Sequence, residues 1–407
     1  MKKEFKNLIK NKNFIIGFCV TTVLVASVFF AVTEKVYIAA KPETLNIKIS
    51  SFEKIKGWRE DNQQEALAAF EKSCSRILKK PDATAQFGVG NFAGTVAPWQ
   101  KICSYVGDAK DYTPAAARKF FENNFTPYEV WSGETREGLF TGYYEPTLSG
   151  SITKTDKYSV PIYRQPDNLI TVNLGDFKTS LKGEQIVGRI EGNKLIPYYN
   201  REQIENGVLA NSNIELVWVD NAVDAFFLHI QGSGRVVLDN GEILRIGYAS
   251  QNGMPYTAIG KALLNSGALT KENVSMQAIR AWLEKNPDKA DDVMNVNASY
   301  IFFRVLDVKG DGPIGAEGIS LTPERSLAVD RKKIPYGVPI WINTPYPEGT
   351  ARIKRLMIAQ DTGGAITGAI RGDFFWGAGE KATHNAGLMK GKGEEWILLP
   401  KEITVNK

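Results

Sequence analysis

From Gly138 onward the chain rarely runs far without a glycine, proline or asparagine, and that punctuation restricts it to short elements. Between the breaks lie stretches of strand length: Tyr158–Arg164, Glu215–Val219, Phe226–Gln231, Glu242–Ile246, Tyr300–Val305, Pro339–Ile342, Met357–Gln360 and Asp373–Trp376. Short β-branched and aromatic runs bounded by turn residues predict strands. One helical stretch, roughly Ser275–Asn286, interrupts them. Upstream, two helices are expected. Glu60–Leu78 places Ala66, Phe70, Cys74 and Leu78 on one stripe. In Thr113–Asn123, Thr113 suits the cap and Pro114 the first turn. Strands seldom alternate with long helices, which argues against a doubly wound α/β fold. The expectation is a mainly β fold with minor α content, barrel-like and preceded by helices. At 407 residues the chain has room for about two or three domains. It holds no internal repeat and no low-complexity tract.

Charge and composition narrow the function. Fifty lysines and arginines oppose 45 acids, a net +5. Lys2, Lys3, Lys6, Lys10, Lys12 and Lys35 against Glu4 and Glu34 put +4 in the first 40 residues, leaving the rest near +1. A nucleic-acid binder would concentrate basic charge in its folded part, so no nucleic-acid partner is expected. Two histidines and three cysteines leave little material for a zinc site, and no metal or cofactor is expected.

The N-terminus points out of the cytoplasm. Residues 14–32 are nineteen positions without a charge, preceded by five lysines and one glutamate. As a helix they span about 28 Å, close to the hydrocarbon thickness of a bilayer. The flanking lysines stay inside and the remainder is carried outward. This predicts an uncleaved signal anchor. Cleavage after Ala40 is the rival, although Ile38 stands where a small residue belongs. Lipidation at Cys19 is a third reading, opposed by Phe18 and by the apolar run continuing past it. Export also gives meaning to Cys74 and Cys103, the only cysteines beyond the anchor. An even pair in an oxidising compartment suggests a disulfide, with two buried free thiols as the alternative.

Several motifs are decoys. Gly310-Asp-Gly312-Pro-Ile-Gly315 matches a dinucleotide fingerprint, but Gly318 and Pro323 break the helix that would have to follow. Asp361-Thr-Gly363 matches the turn of aspartic proteases, which need two such turns, and the chain has one. His229 and His384 have no ligand pattern near them and read as structural. No Gly-x-Ser-x-Gly elbow supports a triad hydrolase.

Three aspartates in the last block sit next to strand-like sequence: Asp330 after Ser326-Leu-Ala-Val, Asp361 after Met357-Ile-Ala-Gln, and Asp373 before Phe374-Phe-Trp376. Such residues are commonly turn formers that bond nearby amides. Asp373 stands apart because three aromatics follow it directly. In a cleft, that setting disfavours the anion and lets the carboxyl keep a proton near neutral pH. A general acid for glycosidic cleavage needs that property. Asp361, on a glycine turn, suits a supporting role.

Together these stretches resemble a known family. Ala328-Val-Asp330, Ile334-Pro-Tyr-Gly337, Asp361-Thr-Gly-Gly-Ala-Ile366 and Asp373-Phe-Phe-Trp-Gly377 are similar to the three-aspartate domain of cell-wall enzymes with double-psi β-barrels. Leu139-Phe-Thr-Gly-Tyr-Tyr-Glu-Pro146, Pro197-Tyr-Tyr199 with Arg201, Phe227-Leu-His-Ile-Gln-Gly-Ser-Gly-Arg235 and Asn297-Ala-Ser-Tyr-Ile-Phe-Phe303 resemble the companion insert of the membrane-bound lytic murein transglycosylase A family. The motifs keep the family's order from about residue 50 to 400. The departure is the N-terminus, since many relatives are lipoproteins and this chain lacks a convincing lipobox.

The resemblance implies a double-psi β-barrel interrupted by a second β-rich domain, with a groove between them. The expected organisation is a cytoplasmic tail at 1–13, the anchor at 14–32, a linker and helical part at 33–136, the insert at 137–295 and the barrel at 296–400. It implies a lytic transglycosylase of peptidoglycan with Asp373 as the catalytic carboxylate and Asp361 and Asp330 in support. Ring faces and hydroxyls of a glycan suit a groove of aromatics and amides. Thr141, Tyr143, Tyr144, Glu145, Gln231, Ser233, Gly234 and Trp376 are the candidate contacts, with Gln231 read as lying on a Gly-Ser-Gly turn. The expected partners are peptidoglycan glycan strands, the membrane through the N-terminal anchor, and proteins of cell-wall synthesis or the divisome. The expected location is the periplasmic face of the envelope. A two-carboxylate hydrolase and a non-catalytic, expansin-like wall binder are the alternatives.

Overall fold

The computed structural model describes residues 45–306 and 312–403. The expected anchor at 14–32 and the first part of the glycine fingerprint lie outside the described residues. No helix among the described residues is long and apolar enough to cross a membrane.

Strand β1 (Leu45–Ile49) is followed by three helices, α1 (Gln63–Ile77), α2 (Val96–Cys103) and α3 (Pro114–Asn124), and then by β2 (Phe125–Ser132) and β3 (Gly138–Glu145). Helix α1 buries Ala66, Phe70 and Cys74 as its periodicity predicts, but it ends at Ile77, so Leu78 stays exposed. Thr113 caps α3 by accepting from the Ala116 amide at 3.2 Å, with Pro114 in the first turn. Cys74 and Cys103 join α1 to α2 as a disulfide, Cα atoms 5.1 Å apart.

The chain then leaves for a second sheet system: β4 (Thr147–Ser151), β5 (Val160–Tyr163), β6 (Ile170–Asn173), β7 (Gln185–Glu191), β8 (Lys194–Pro197) and β9 (Glu215–Val219). After them come α4 (Ala222–Gln231), β10 (Ser233–Leu238), β11 (Ile243–Gln251), α5 (Ile259–Asn265), α6 (Met276–Lys285), α7 (Pro287–Asn295) and β12 (Ile301–Val305). Strands β12-β11-β10-β4-β9-β5 form a six-stranded sheet, and β6-β7-β8 a three-stranded one.

Phe226–Gln231, expected as a strand, belongs to helix α4. Asn221 caps it, accepting from the Val223 and Asp224 amides, and left-handed Gly232 (φ 75°) ends it. The helix hides its period because it is buried on two sides. Ala225 and Leu228 enter the core of the six-stranded sheet, while Val223, Phe226 and Phe227 pack with Ile259, Leu283 and Met294. A helix apolar all round has no polar face from which 3.6-residue spacing can be read.

The last block supplies β13 (Ser326–Val329), β14 (Pro339–Pro345), β15 (Arg352–Asp361), β16 (Arg371–Ala378), α8 (Glu380–Leu388) and β17 (Lys390–Pro400). With the first strands they make a sheet ordered β1-β2-β17-β14-β15-β13-β16-β3, and an added β17–β3 pairing closes its last six strands into a ring. Closure rests on the length of β17. Its first residues, Lys390–Gly393, pair with β3, and Glu394–Ile397 pair with β14. The ring mixes two parallel pairs, β13–β15 and β16–β3, with antiparallel ones. The fold is therefore mainly β with minor helix.

Sheet membership crosses the boundaries expected from sequence. Strand β3, expected in the 137–295 segment, is a ring strand, and β12, expected in the 296–400 segment, closes the six-stranded sheet. The excursion leaves the ring after Glu145 and returns after Val305, so β3 lies beside β16 despite more than 200 intervening residues.

Candidate active site

Asp373 is the third residue of β16, opposite Thr141 of β3 in parallel register and Ala328 of β13 in antiparallel register. Alternation along a strand gives Asp373 and Phe375 one face and Phe374 and Trp376 the other. Phe375 meets the Tyr143 ring at 5.1 Å, whereas Phe374 and Trp376 pack together at 4.5 Å in the ring core.

The register places Thr141 to bond Asp373. Its Oγ1 donates to Asp373 Oδ1 at 2.6 Å and accepts from Arg371 Nη2 at 2.9 Å. A guanidinium can only donate, so the threonine proton must point at the carboxylate. Arg371 is held in turn by donating to the Gly372 and Leu139 carbonyls at 2.6 and 3.3 Å. Burial pushes the Asp373 carboxyl above the ordinary range, while the Arg371 charge and the Thr141 hydrogen bond pull it back.

Asp361 ends β15 close enough to sense the Asp373 charge. Its Oδ1 accepts from the Ala316 and Thr362 amides at 2.9 Å each, and its Oδ2 from the Tyr143 hydroxyl at 2.9 Å. Burial lifts this carboxyl to about 6 against those three donors, with the Asp373 charge adding to the rise. Burial, and then the neighbouring carboxylates, raise Tyr143 well above an ordinary phenol, so it remains a donor. Two coupled carboxyls of this kind titrate as a pair.

Thr141, Tyr143, Asp361 and Asp373 are thus brought together. Asp330 is not among them. Its oxygens accept from the Lys332 and Gly368 amides at 3.0 Å each, which fastens a turn. Glu145, expected as a substrate contact, is almost fully buried (1% exposed) and paired with Arg235 at 2.6 Å, with Arg245 at 4.0 Å. It ties β3 to the inserted sheet and has no free face for a ligand. Trp376 lies on the opposite face of β16 from Asp373, packed with Phe374 in the ring core. A cavity of about 560 Å³ opens beside Trp376 and Tyr346 rather than beside Asp373.

Tyr144 is buried, and its amide donates to Gln231 Oε1 at 3.1 Å. Gln231 closes α4 instead of lying on a glycine turn, with Ser233 opening β10. Gly234 is a packing glycine, since a Cβ there would come within 2.6 Å of Leu228 and 3.0 Å of the Pro146 carbonyl. His229 is structural, accepting from the Ile301 amide at 3.1 Å and held neutral by burial.

Sequence reasoning gave no role to Arg371 or Tyr256. Arg371 precedes Asp373 by two positions, the spacing that places both on one face of a strand. Tyr256 lies between β11 and α5, half-exposed, where the Asp373 charge adds to the effect of burial in raising its hydroxyl. Its segment is pinned by buried asparagines. Asn252 donates to the Tyr199 and Ala298 carbonyls, and Asn297 accepts from the Thr257 amide. Among the described residues no group of three His, Cys, Asp or Glu is placed to hold a metal ion.

Comparisons with known proteins identify the two domains. Residues 139–304 match the MltA specific insert domain and residues 325–399 the 3D domain. Membrane-bound lytic murein transglycosylase A of Escherichia coli K12 is 32% identical over 267 residues, which is 64% of this chain and 65% of the relative's length. A crystal structure of a membrane-bound lytic murein transglycosylase from Agrobacterium tumefaciens superposes with a TM-score of 0.76 at 34% identity, covering 88% of this chain and 98% of that one. E. coli MltA with bound chitohexaose superposes at 0.61 with 25% identity, covering 88% and 95%. With both domain models matched in order and the Agrobacterium structure covered almost end to end, the chain belongs to the membrane-bound lytic murein transglycosylase A family.

Proposed function

We propose that this protein is a lytic transglycosylase that cleaves the β-1,4 bond between N-acetylmuramic acid and N-acetylglucosamine in peptidoglycan, leaving 1,6-anhydro ends. Asp373 protonates the glycosidic oxygen. Its anion then accepts the proton of the muramoyl 6-hydroxyl, which attacks C1 and closes the ring. One carboxyl serves both half-reactions because the nucleophile belongs to the substrate, unlike the usual two-carboxylate glycosidase scheme. Tethering on the same ring makes that attack intramolecular, which can supply several kcal/mol of the barrier.

The observation that carries the reading is the Arg371–Thr141–Asp373 relay. It holds one oxygen of a part-buried carboxyl still, steadies the anion formed midway, and leaves the other oxygen for the proton. Asp361 supports it, since like charges side by side are disfavoured and the two carboxyls together keep their last proton to higher pH. The family supports the substrate class, as does the chitohexaose bound to the E. coli relative. Anchoring by residues 14–32 on the periplasmic face belongs to the same proposal, with peptidoglycan strands as the partner.

The test is the product. Digestion of purified sacculi should give muropeptides about 18 Da lighter than hydrolytic ones, resistant to borohydride and unlabelled at C1 in heavy-oxygen water, because no water enters. Predominantly reducing, labelled ends would replace this reading by hydrolysis, with Asp361 as the base.

A further inference from the structure

Asp361 is held by an amide that lies outside the ring strands. Ala316 sits in an exposed tight turn in which Gly315 donates to the Ile319 carbonyl and Gly318 to the Gly315 carbonyl. Two contacts fasten this turn to the body. The Glu317 amide donates to the Gln360 carbonyl at 3.1 Å, and Glu317 Oε2 accepts from Ser73 Oγ of helix α1 at 2.7 Å. The receiving side is rigid. Ser73 and Gln360 are fully buried, and Gln360 Nε2 donates to Ser73 Oγ at 2.9 Å and to the Ala69 carbonyl at 2.7 Å. Further along, Lys72 Nζ donates to Thr322 Oγ1 at 2.9 Å, and a Cβ on Gly318 would meet Arg76 at 3.5 Å. One helix face therefore grips the segment that delivers the Ala316 amide.

We infer that Glu317 is a positioning residue for the carboxyl pair: by bonding Ser73 it holds the Ala316 N–H on Asp361 and so favours the Asp361 anion beside Asp373. This rests on the proposed role of Asp373. An amide donor stabilises the carboxylate it points at. Slackening the turn removes one of three donors from Asp361, so that carboxyl, which does not deliver the proton, holds its own to higher pH. The groups facing the pair are Tyr143 on β3, Arg371 on β16, Thr362, Tyr336 and Tyr256, while Arg76 and Lys80 face Glu317, which burial lifts to about 7.

The experiment compares Glu317→Ala and Glu317→Gln with wild type in full-length protein, using rate against pH, kcat, KM and melting temperature. Glu317→Ala should lower kcat about tenfold with KM nearly unchanged, a misplacement effect, and should shift the alkaline limb of the rate profile upward. Glu317→Gln, whose amide oxygen still accepts from Ser73, should restore both. A purely structural role would lower the melting temperature while leaving the limb in place, and that result would overturn the inference, as would an unchanged kcat. Should Glu317→Ala fail to fold, Ser73→Ala removes the other half of the bond and carries the same two outcomes. Product analysis of the wild type is a separate arm. Reducing ends there would sink the transglycosylase reading and leave the comparison of relative rates and pH limbs standing.

Discussion

Replacing Asp373 by asparagine keeps the side chain's shape and its acceptor for Thr141, but removes the proton the reaction moves twice. Turnover should fall by ~10²–10⁴-fold or more, with a melting temperature within a few degrees of wild type. A variant retaining more than a tenth of the rate would move the catalytic role elsewhere. Asp361→Asn tests the coupling. A like charge beside Asp373 favours its protonated form, so removing that charge should make the acid lose its proton at lower pH. In the wild type the pair's last proton leaves near the Asp361 value of about 6. Activity should decline above that pH, and the decline should begin at lower pH in Asp361→Asn. An unshifted limb would show that the two carboxyls do not communicate. In sequence all three aspartates adjoin a strand, and only the aromatic run sets Asp373 apart. Their partners separate them: Asp330 and Asp361 accept backbone amides, while Asp373 accepts a threonine hydroxyl fixed by an arginine.

Among the elements, β17 carries both closure and a cost. Glu395, in its middle, is fully buried, neither carboxylate oxygen has a hydrogen-bond partner, and burial lifts it to about 8. The sign follows from linkage. An unfolded chain releases this proton near pH 4.5, and the fold keeps it until about 8. Between those limits the native state binds more protons than the unfolded state, so stability falls as pH rises and levels off above about 8. Each unit of the shift corresponds to about 1.4 kcal/mol, making the total loss several kcal/mol. Glu395→Gln should flatten the fall in melting temperature between pH 5 and 8. A slope equal to wild type would show that another group titrates there. Helix α4 illustrates what local reading misses. Its ends are set by Asn221 and Gly232, but its apolar core matches a buried strand equally well.

For the whole molecule, the ring and the excursion decide what the site can be. Thr141 and Asp373 are 232 positions apart and bond at 2.6 Å only because β3 pairs with β16. A fragment starting at Lys41 keeps every element described above, so it should fold, act on sacculi and, with Cys74 and Cys103 joined, show no free thiol when denatured without reductant. Full-length protein should stay with membranes after a high-salt wash, since burial of about 19 apolar residues is insensitive to screening. Release by salt, or a native N-terminus near residue 41, would remove the anchor.

Local chemistry was legible without coordinates wherever a residue's neighbours in sequence decide its state. The Thr113–Pro114 helix start, the α1 stripe, the turn-bounded strands and the aromatic run after Asp373 are of that kind. Resemblance across those motifs also singled out Asp373 as the proposed catalytic carboxyl. The tertiary structure decided what depends on pairing between distant strands. It gave Glu145 to Arg235, turned Trp376 into the core, and brought Arg371 to Thr141. It also set the Ala316 amide on Asp361 through a contact with helix α1. The reason is physical. Helix caps and strand period arise from interactions over a few residues, whereas a carboxyl's partners and burial are set by whichever segments the sheet register lays beside it.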